Sequence, residues 1–268
     1  MPEFVYINDE VVPASAARIP AISNAALYGK GIFTTIAVVG SRPVFWEKHW
    51  NRLCRDTGKL GIDLSKFSEA KVRDTVRHMV EANGIADGRV RVTLFDGTPA
   101  GLWADGGEEE SGSLFVAAAG RREVPADFRL TVSPHHVNSA SPLAGVKSCN
   151  YLEKQMALDE AKARGFDEAV QLNERGQIAS ACMANIFWLK EERLYSPSLG
   201  TGCLAGTTRE FVMENVECEE TEDGRDSLAE AEAIFLTSAG LGIAAAAEFD
   251  GRLLPRSDHE ITRLLVKN

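Results

Sequence analysis

The spacing of apolar residues changes period repeatedly along this chain, and that change narrows the fold more than any other feature. Val72, Val76, Met79 and Val80 recur at the spacing of one helix face, and the run stops at Asn83-Gly84, a helix C-terminal signal. Directly afterwards "RVRVTLF" (89–95) alternates Val90, Val92 and Leu94 with polar residues, and "SLFVAAA" (113–119) is a short apolar run rich enough for a buried strand. The second half mixes the periods again: "RLTVS" as a strand, a helix over about 151–164, then strands in "EAVQLN" (168–173), "NIFWLK" (185–190) and "AIFLTS" (233–238). No segment repeats at a fixed period, which excludes a solenoid. The pattern predicts a mixed α/β (α+β) chain of two lobes: an N-terminal lobe over 1–119, the hydrophilic linker "GRREVPAD" over 120–127, and a C-terminal lobe over 128–268.

Charge narrows the partner. The 29 basic and 39 acidic residues leave a net charge of −10, which argues against a nucleic-acid or anionic-membrane surface and favours a small molecule. The cysteines Cys54, Cys149, Cys182, Cys203 and Cys218 are odd in number, widely spaced and without a CxxC pair, so neither a disulfide framework nor a metal site is indicated. The N-terminal stretch lacks the basic flank and apolar core of a signal peptide, and no apolar run reaches the length of a membrane span. A cytoplasmic location is the expectation.

Three stretches carry chemistry. In "GTGCLAGTTREFVMENV" (200–216), Gly200, Gly202 and Gly206 form a flexible turn. Thr207 and Thr208 then stand where a helix carrying Phe211, Val212 and Val216 begins. Backbone amides at such a helix start suit an anion, while a plain Thr-capped helix is the alternative. In "FWEKHWNRL" (45–53), His49 and Arg52 share a helix face while Trp50, Leu53 and Cys54 take the other, so Arg52 is either an inward phosphate partner or a solvated surface arginine. In "AGVKSCNYLEKQ" (144–155), Lys147 precedes a helix with Asn150 as its N-cap, with Leu152 and Met156 on one face and Gly165 as its stop. A lysine becomes a covalent nucleophile only where desolvation or neighbouring cations lower its pKa, and most lysines are simply solvated.

Taken in order, "YGKGIFTTI" (28–36), "HWNRL" (49–53), "GVKSCNYL" (145–152), "GFDEAVQLNERGQIASACMANIFWLK" (165–190), "GCLAGTTR" (202–209) and "IFLTSAGLGI" (234–243) resemble the class IV aminotransferase family, the fold-type IV pyridoxal-phosphate enzymes. The resemblance implies pyridoxal 5′-phosphate as cofactor, a cleft between two α/β lobes to hold it, and a homodimer. It also implies that Lys147 holds the cofactor covalently and shuttles the proton at the substrate's Cα. Arg52 would grip the cofactor phosphate, Thr207 and Thr208 would complete that cradle, and Thr237 and Ser238 would form a third phosphate-side segment. The threonine that branched-chain transaminases use there falls at Ala239. Asn185, in "NIF", takes a structural role.

Two positions depart from the family pattern. Where the family reads G-x-V-x-E and sets a carboxylate on the pyridine nitrogen, this chain reads "GQIAS", so Ser180 stands at the Glu position. A hydroxyl tends to leave that nitrogen neutral, a weaker electron sink than the protonated ring. Lys30 stands in "YGKG" where "GDG" is common. "FTT" (33–35), "SPLAGVK" (141–147), "CMANIFW" (182–188) and "TSAGLGI" (237–243) look closer to the family's aminodeoxychorismate lyases, with Phe33 and Thr35 as substrate-side candidates. The resemblance therefore implies loss of pyruvate from an aminodeoxychorismate substrate in folate synthesis. Amino transfer by a branched-chain or D-amino-acid aminotransferase is the alternative, and a cofactor-binding protein with impaired catalysis the third reading.

Overall fold

The chain, seen in a computed structural model that describes residues 2–99, 112–121 and 123–264, divides into two units. Among the described residues, the first comprises those of 2–121 with Val146–Asn150 joined to it, and the second Glu123–Gly145 and 151–264. Among the described residues of the 120–127 stretch, only Gly120 lies in a strand or helix, and residue 122 falls outside them.

The first unit is built on one antiparallel sheet of six strands: β1 Phe4–Ile7, β2 Glu10–Pro13, β3 Gly31–Val39, β4 Arg42–Pro43, β5 Gly88–Asp96 and β6 Gly112–Gly120, in the order β2-β1-β6-β5-β3-β4. Alternation along β3, β5 and β6 sends Ile32, Ile36, Val90, Val92, Leu94, Leu114 and Val116 into one buried cluster. Two helices cover it. Of the three helices, α1 Asn24–Tyr28, α2 Trp46–Leu60 and α3 Glu69–Ala82, the last two supply Trp46, Leu53, Val72, Val76, Met79 and Val80 to the same core. Helix α3 starts where Ser68 Oγ accepts from Lys71 N (3.2 Å) and stops at Asn83. The inward face of α2 carries Trp46, His49, Arg52, Leu53 and Asp56. Leu53 thus lies beside His49 and Arg52, not across the helix from them, because 49 and 53 are one turn apart.

The second unit has two sheets. Strands β7 Arg129–Val132, β8 Glu168–Leu172, β9 Ile178–Ala181, β10 Asn185–Lys190, β11 Arg193–Pro197, β12 Glu219–Thr221, β13 Ala233–Ser238, β14 Gly242–Ala245, β15 Glu248–Phe249 and β16 Arg252–Leu253 divide into β12-β11-β10-β13-β14 and β16-β15-β7-β8-β9. Helices α4 Leu152–Ala163, α5 Thr207–Asn215 and α6 Arg225–Ala229 accompany them. The apolar runs "NIFWLK" and "AIFLTS" pair as β10 and β13, with Ile186, Trp188, Ile234 and Leu236 on one face and Phe187 and Phe235 on the other, each face in its own core. A strand buried on both faces reads as a continuous apolar run.

Helix α4 corrects two expectations. Its N-cap is Tyr151 with no side-chain cap; Asn150 instead donates its Nδ2 to Gly29 O (3.0 Å). Leu152 and Met156 face solvent, at 71% and 52% exposure, and the buried stripe is Ala157, Leu158 and Ala161, nearly opposite them on the helix. Lys154 continues that stripe at the i−3 and i−4 positions.

Lys30 also finds its reason here. Its Nζ lies 2.8 Å from Asp96 Oδ2, and Asp96 further accepts from Asn24 Nδ2 (3.0 Å) and Thr98 N (2.9 Å). Burial pushes the Asp96 carboxyl up, but Lys30, Thr98 and Asn24 together hold it below its usual range. A carboxylate with a depressed folded pKa adds stability above its unfolded value of 3.8, and loses it as pH falls through the folded value. A third of Lys30 reaches solvent, which screens the pair, so Lys30→Met should lower unfolding stability by about 1–2 kcal/mol at neutral pH. In urea titrations the deficit should shrink once Asp96 protonates in acid; a deficit constant across pH would refute the pairing.

Candidate functional site

In the first unit the Lys147 segment runs as an added edge beside β3. Phe33 N donates to Lys147 O (2.9 Å), Cys149 N donates to Gly31 O (2.7 Å), and Ser148 pairs antiparallel with Ile32. The Lys147 amide donates to Asp56 Oδ2 (3.0 Å), a buried carboxylate of α2 that also takes Arg55 Nε (3.0 Å). With its backbone fixed at N and O, Lys147 lays its Nζ 4.4 Å from the centroid of the Phe33 ring. Arg91 sets its guanidinium carbon 3.6 Å from the same centroid, and Thr35 is its partner across the β3–β5 pairing. Phe33, Thr35 and Lys147, all singled out from sequence, therefore meet on one face of the sheet. Arg91 joins them there, a residue that strand alternation alone left as an ordinary exposed arginine.

Arg52 is buried, so it is not a solvated surface arginine. Its Nη2 donates to Thr34 Oγ1 (2.7 Å), and Thr34 Oγ1 lies 2.6 Å from His49 Nδ1. The Thr34 hydroxyl accepts from the guanidinium on one lone pair, and it can either give its own proton to His49 Nδ1 or accept one from it, so the contact suits both neutral tautomers. Burial drives the His49 pKa well below 6.5, and the charges of Arg52 and Lys147 lower it further. The cluster thus sets a neutral imidazole between Arg52 and Lys147, with the Asp56 carboxylate on the same helix face.

In the second unit, Thr207 and Thr208 are the first two residues of α5. Their N-cap is Gly206, so no side chain caps the helix and the Thr-capped alternative is overturned. Gly206 has a steric reason: a Cβ there would collide with Asn185 Oδ1, and Asn185 is itself held by donating Nδ2 to Leu204 O (2.7 Å). Asn185 is the cross-strand partner of Thr237, whose hydroxyl is buried with no hydrogen-bond partner among the described residues. An orphaned buried hydroxyl close to an open helix start fits a phosphate group. Ser238 Oγ accepts from Leu241 N (3.2 Å) and closes the turn after β13.

Ser180 belongs to a different cluster. It lies on β9 opposite Gln171 of β8, and Lys154 Nζ donates to Ser180 Oγ (3.3 Å) and Gln171 Oε1 (3.2 Å). Lys154 escaped the sequence reading, though its place in the 154/157/158/161 stripe was the available signal: a lysine on an apolar helix face. Among the described residues no group of His, Cys, Asp or Glu could hold a metal ion, and no helix is long and apolar enough to cross a membrane.

The sequence profile described as amino-transferase class IV matches residues 31–249. An aminodeoxychorismate lyase of Bacillus subtilis (strain 168) is 28% identical over 216 residues, covering 80% of this chain and 73% of its own. A protein of Methanocaldococcus jannaschii, named a putative branched-chain-amino-acid aminotransferase, is 27% identical over 270 residues, with 97% and 93% covered. The fold matches that of the branched-chain aminotransferase from the thermophilic archaeon Thermoproteus uzoniensis solved with norvaline, with a TM-score of 0.88 and 26% identity over 98% of this chain and 92% of that one.

The Arg52–Thr34–His49 relay can be read by NMR. His49 should hold a single neutral tautomer and show no protonation as pH falls through 6.5, the value at which the unfolded imidazole takes up its proton. Because the folded pKa is depressed, His49 should draw stability down as pH drops below 6.5. Thr34→Val should redistribute the tautomers. Ordinary titration of His49 near 6.5 in the folded protein would contradict the relay.

Proposed function

Because this chain belongs to the class IV aminotransferase family, we propose that it is a pyridoxal-phosphate enzyme that releases pyruvate from aminodeoxychorismate. Lys147 is the covalent anchor. Arg52 takes the cofactor phosphate, together with Thr207, Thr208 and Thr237, and the Ser238 turn supports that last segment. The orphaned Thr237 hydroxyl and the uncapped start of α5 support a phosphate on the second unit, and the buried Arg52 supports one on the first.

When bound, the cofactor supplies a conjugated ring that accepts electrons from the substrate's Cα–H bond. The protein supplies position and proton transfer. Lys147, pinned by Asp56 and the Phe33 amide, can take the proton from the carbon that bears the amine. Arg91 offers an exposed guanidinium beside Phe33 to a substrate carboxylate, and Phe33 and Thr35 shape the surface next to it. The observation that carries the choice of lyase is Ser180. A hydroxyl stands where amino transfer profits most from a carboxylate, whereas elimination discharges the developing carbanion by expelling its leaving group.

Amino transfer between a small amino acid and a 2-oxo acid is the second reading, favoured by the aminotransferase relative that spans nearly the whole chain.

Purified protein should be yellow, and borohydride should fix the cofactor on Lys147. Lys147→Ala should lose that adduct, and a full-yield adduct on another lysine would refute the anchor. Arg52→Ala should weaken cofactor binding by about one to two decades, the equivalent of roughly 1.5–3 kcal/mol for a charge-assisted contact. In the deciding assay, pyruvate release from aminodeoxychorismate is measured beside pyridoxamine-phosphate formation from amino-acid donors. Brisk amino transfer with no pyruvate would replace the lyase reading by the second one.

A further inference from the structure

Lys154 carries an inward-turned amine for which neither the fold nor the proposed chemistry yet has a use. It sits in the stripe with Ala157, Leu158 and Ala161, and its Nζ ends on two side chains that are direct partners across β8 and β9, Gln171 and Ser180. Both are nearly inaccessible, at 1% and 5% exposure. Gln171 is oriented for the contact, since its Nε2 points to His135 O (3.5 Å) and leaves Oε1 for the amine.

Glu168, the buried carboxylate whose charge acts on this amine, takes backbone amides on both oxygens: Ala169 N (3.1 Å) and Cys182 N (3.1 Å) on Oε1, and Met183 N (3.3 Å) on Oε2. Burial lowers the Lys154 pKa, while negative charge at Cys182, Glu168, Cys203 and Glu153 holds it up. Cys182, with its thiol pushed up to about 12, is itself neutral at working pH, so Glu168 is the relevant counter-charge.

The direction of hydrogen bonding follows from these contacts. Ser180 Oγ accepts from Lys154, and its own proton has no acceptor among the described residues. A hydroxyl fed by an amine on its lone-pair side presents its proton outward, as a donor. A protonated ring nitrogen needs an acceptor opposite it. An unprotonated one needs a donor.

The geometry points to Lys154 acting through Ser180 as the donor system that meets the cofactor's ring nitrogen and holds it as an unprotonated hydrogen-bond acceptor. This rests on the reading that the chain binds pyridoxal phosphate with Ser180 toward the ring. Lys154 is in this scheme a positioning residue: it fixes which way the Ser180 hydroxyl points and keeps positive charge behind it. Protonation of the ring nitrogen is opposed by that charge and would turn the hydroxyl's proton away from the ring, where no other acceptor meets it among the described residues.

The test uses protein stripped of cofactor and reconstituted with either pyridoxal phosphate or its ring-N-methylated analogue, which carries a fixed positive charge and cannot accept a hydrogen bond. The parent should bind the methylated analogue at least about tenfold more weakly than the natural cofactor. Lys154→Met should narrow that ratio to within about threefold, and Lys154→Arg, which keeps the charge and the donors, should retain it. With 15N-labelled cofactor, the ring-nitrogen resonance of the parent should fall in the unprotonated range at about pH 8. A protonated resonance in the parent, or an undiminished ratio in a folded Lys154→Met variant, would overturn the inference. If Lys154→Met does not fold, Lys154→Gln and the parent's resonance decide the matter. Failure of the parent to form the reducible link at Lys147 is a different result, and it would remove the cofactor reading on which this one stands.

Discussion

Asp56 takes the amide of Lys147, and the carbonyl of Lys147 takes the amide of Phe33. Those two bonds fix a lysine backbone between a buried carboxylate and a sheet edge, and much of the first unit is arranged around them. Strand β4 pairs with β3 only at Val38 and Val39, which leaves the Gly31–Phe33 half of that edge open to the returning segment. Gly31 is tightly packed, since a Cβ would stand 3.0 Å from Cys149 Sγ and from Phe95 Cβ and those neighbours would have to give way. Gly29, at φ +65°, turns the chain against the Asn150 side chain. Asp56 and Arg52 lie one turn apart on α2, so a single helix both positions the amine and presents the guanidinium.

Among the described residues, three buried carboxylates are met by backbone amides. Asp56, Asp96 and Glu168 each accept at least one backbone N–H. A carboxylate so satisfied keeps its charge without depending on one mobile cation. The cations are treated differently. Burial first, and then the charges of Arg52 and Lys147, depress His49, which stays neutral between them.

The mixed fold and the long apolar strands were legible because period and burial agree: Val72 to Val80 for α3, "RVRVTLF" for β5, and the double-faced runs for β10 and β13. What failed was local. Asn150 has the chemistry of a helix cap, but its amide was wanted by Gly29 O, a partner 121 positions away. Leu152 and Met156 have the spacing of a core face, yet the buried stripe of α4 is made of alanines and Leu158, prolonged by a lysine. Apolar character alone misplaced the face. Short strands such as β4, β12, β15 and β16 carry too few residues to show a period at all. The candidate residues Lys147, Arg52, Phe33 and Thr35 stand in sequence motifs, whereas Arg91 and Lys154 enter only through the pairing of β3 with β5 and of β8 with β9.

Ser180 and Lys154 have to be read together. A serine where the family resemblance places a carboxylate removes one negative charge, and the amine beside it is a cation whose counter-charge, Glu168, is already held by backbone amides. Restoring a glutamate at position 180 alone would therefore not restore the ordinary arrangement. The new carboxylate would stand within reach of Lys154 Nζ, which already contacts Ser180 Oγ at 3.3 Å, and would be neutralised there as an ion pair. On the proposed reading, in which Ser180 faces the cofactor ring, a stronger electron sink requires both positions to change together, and the joint presence of the hydroxyl and the amine is what speaks there for a reaction that expels its leaving group.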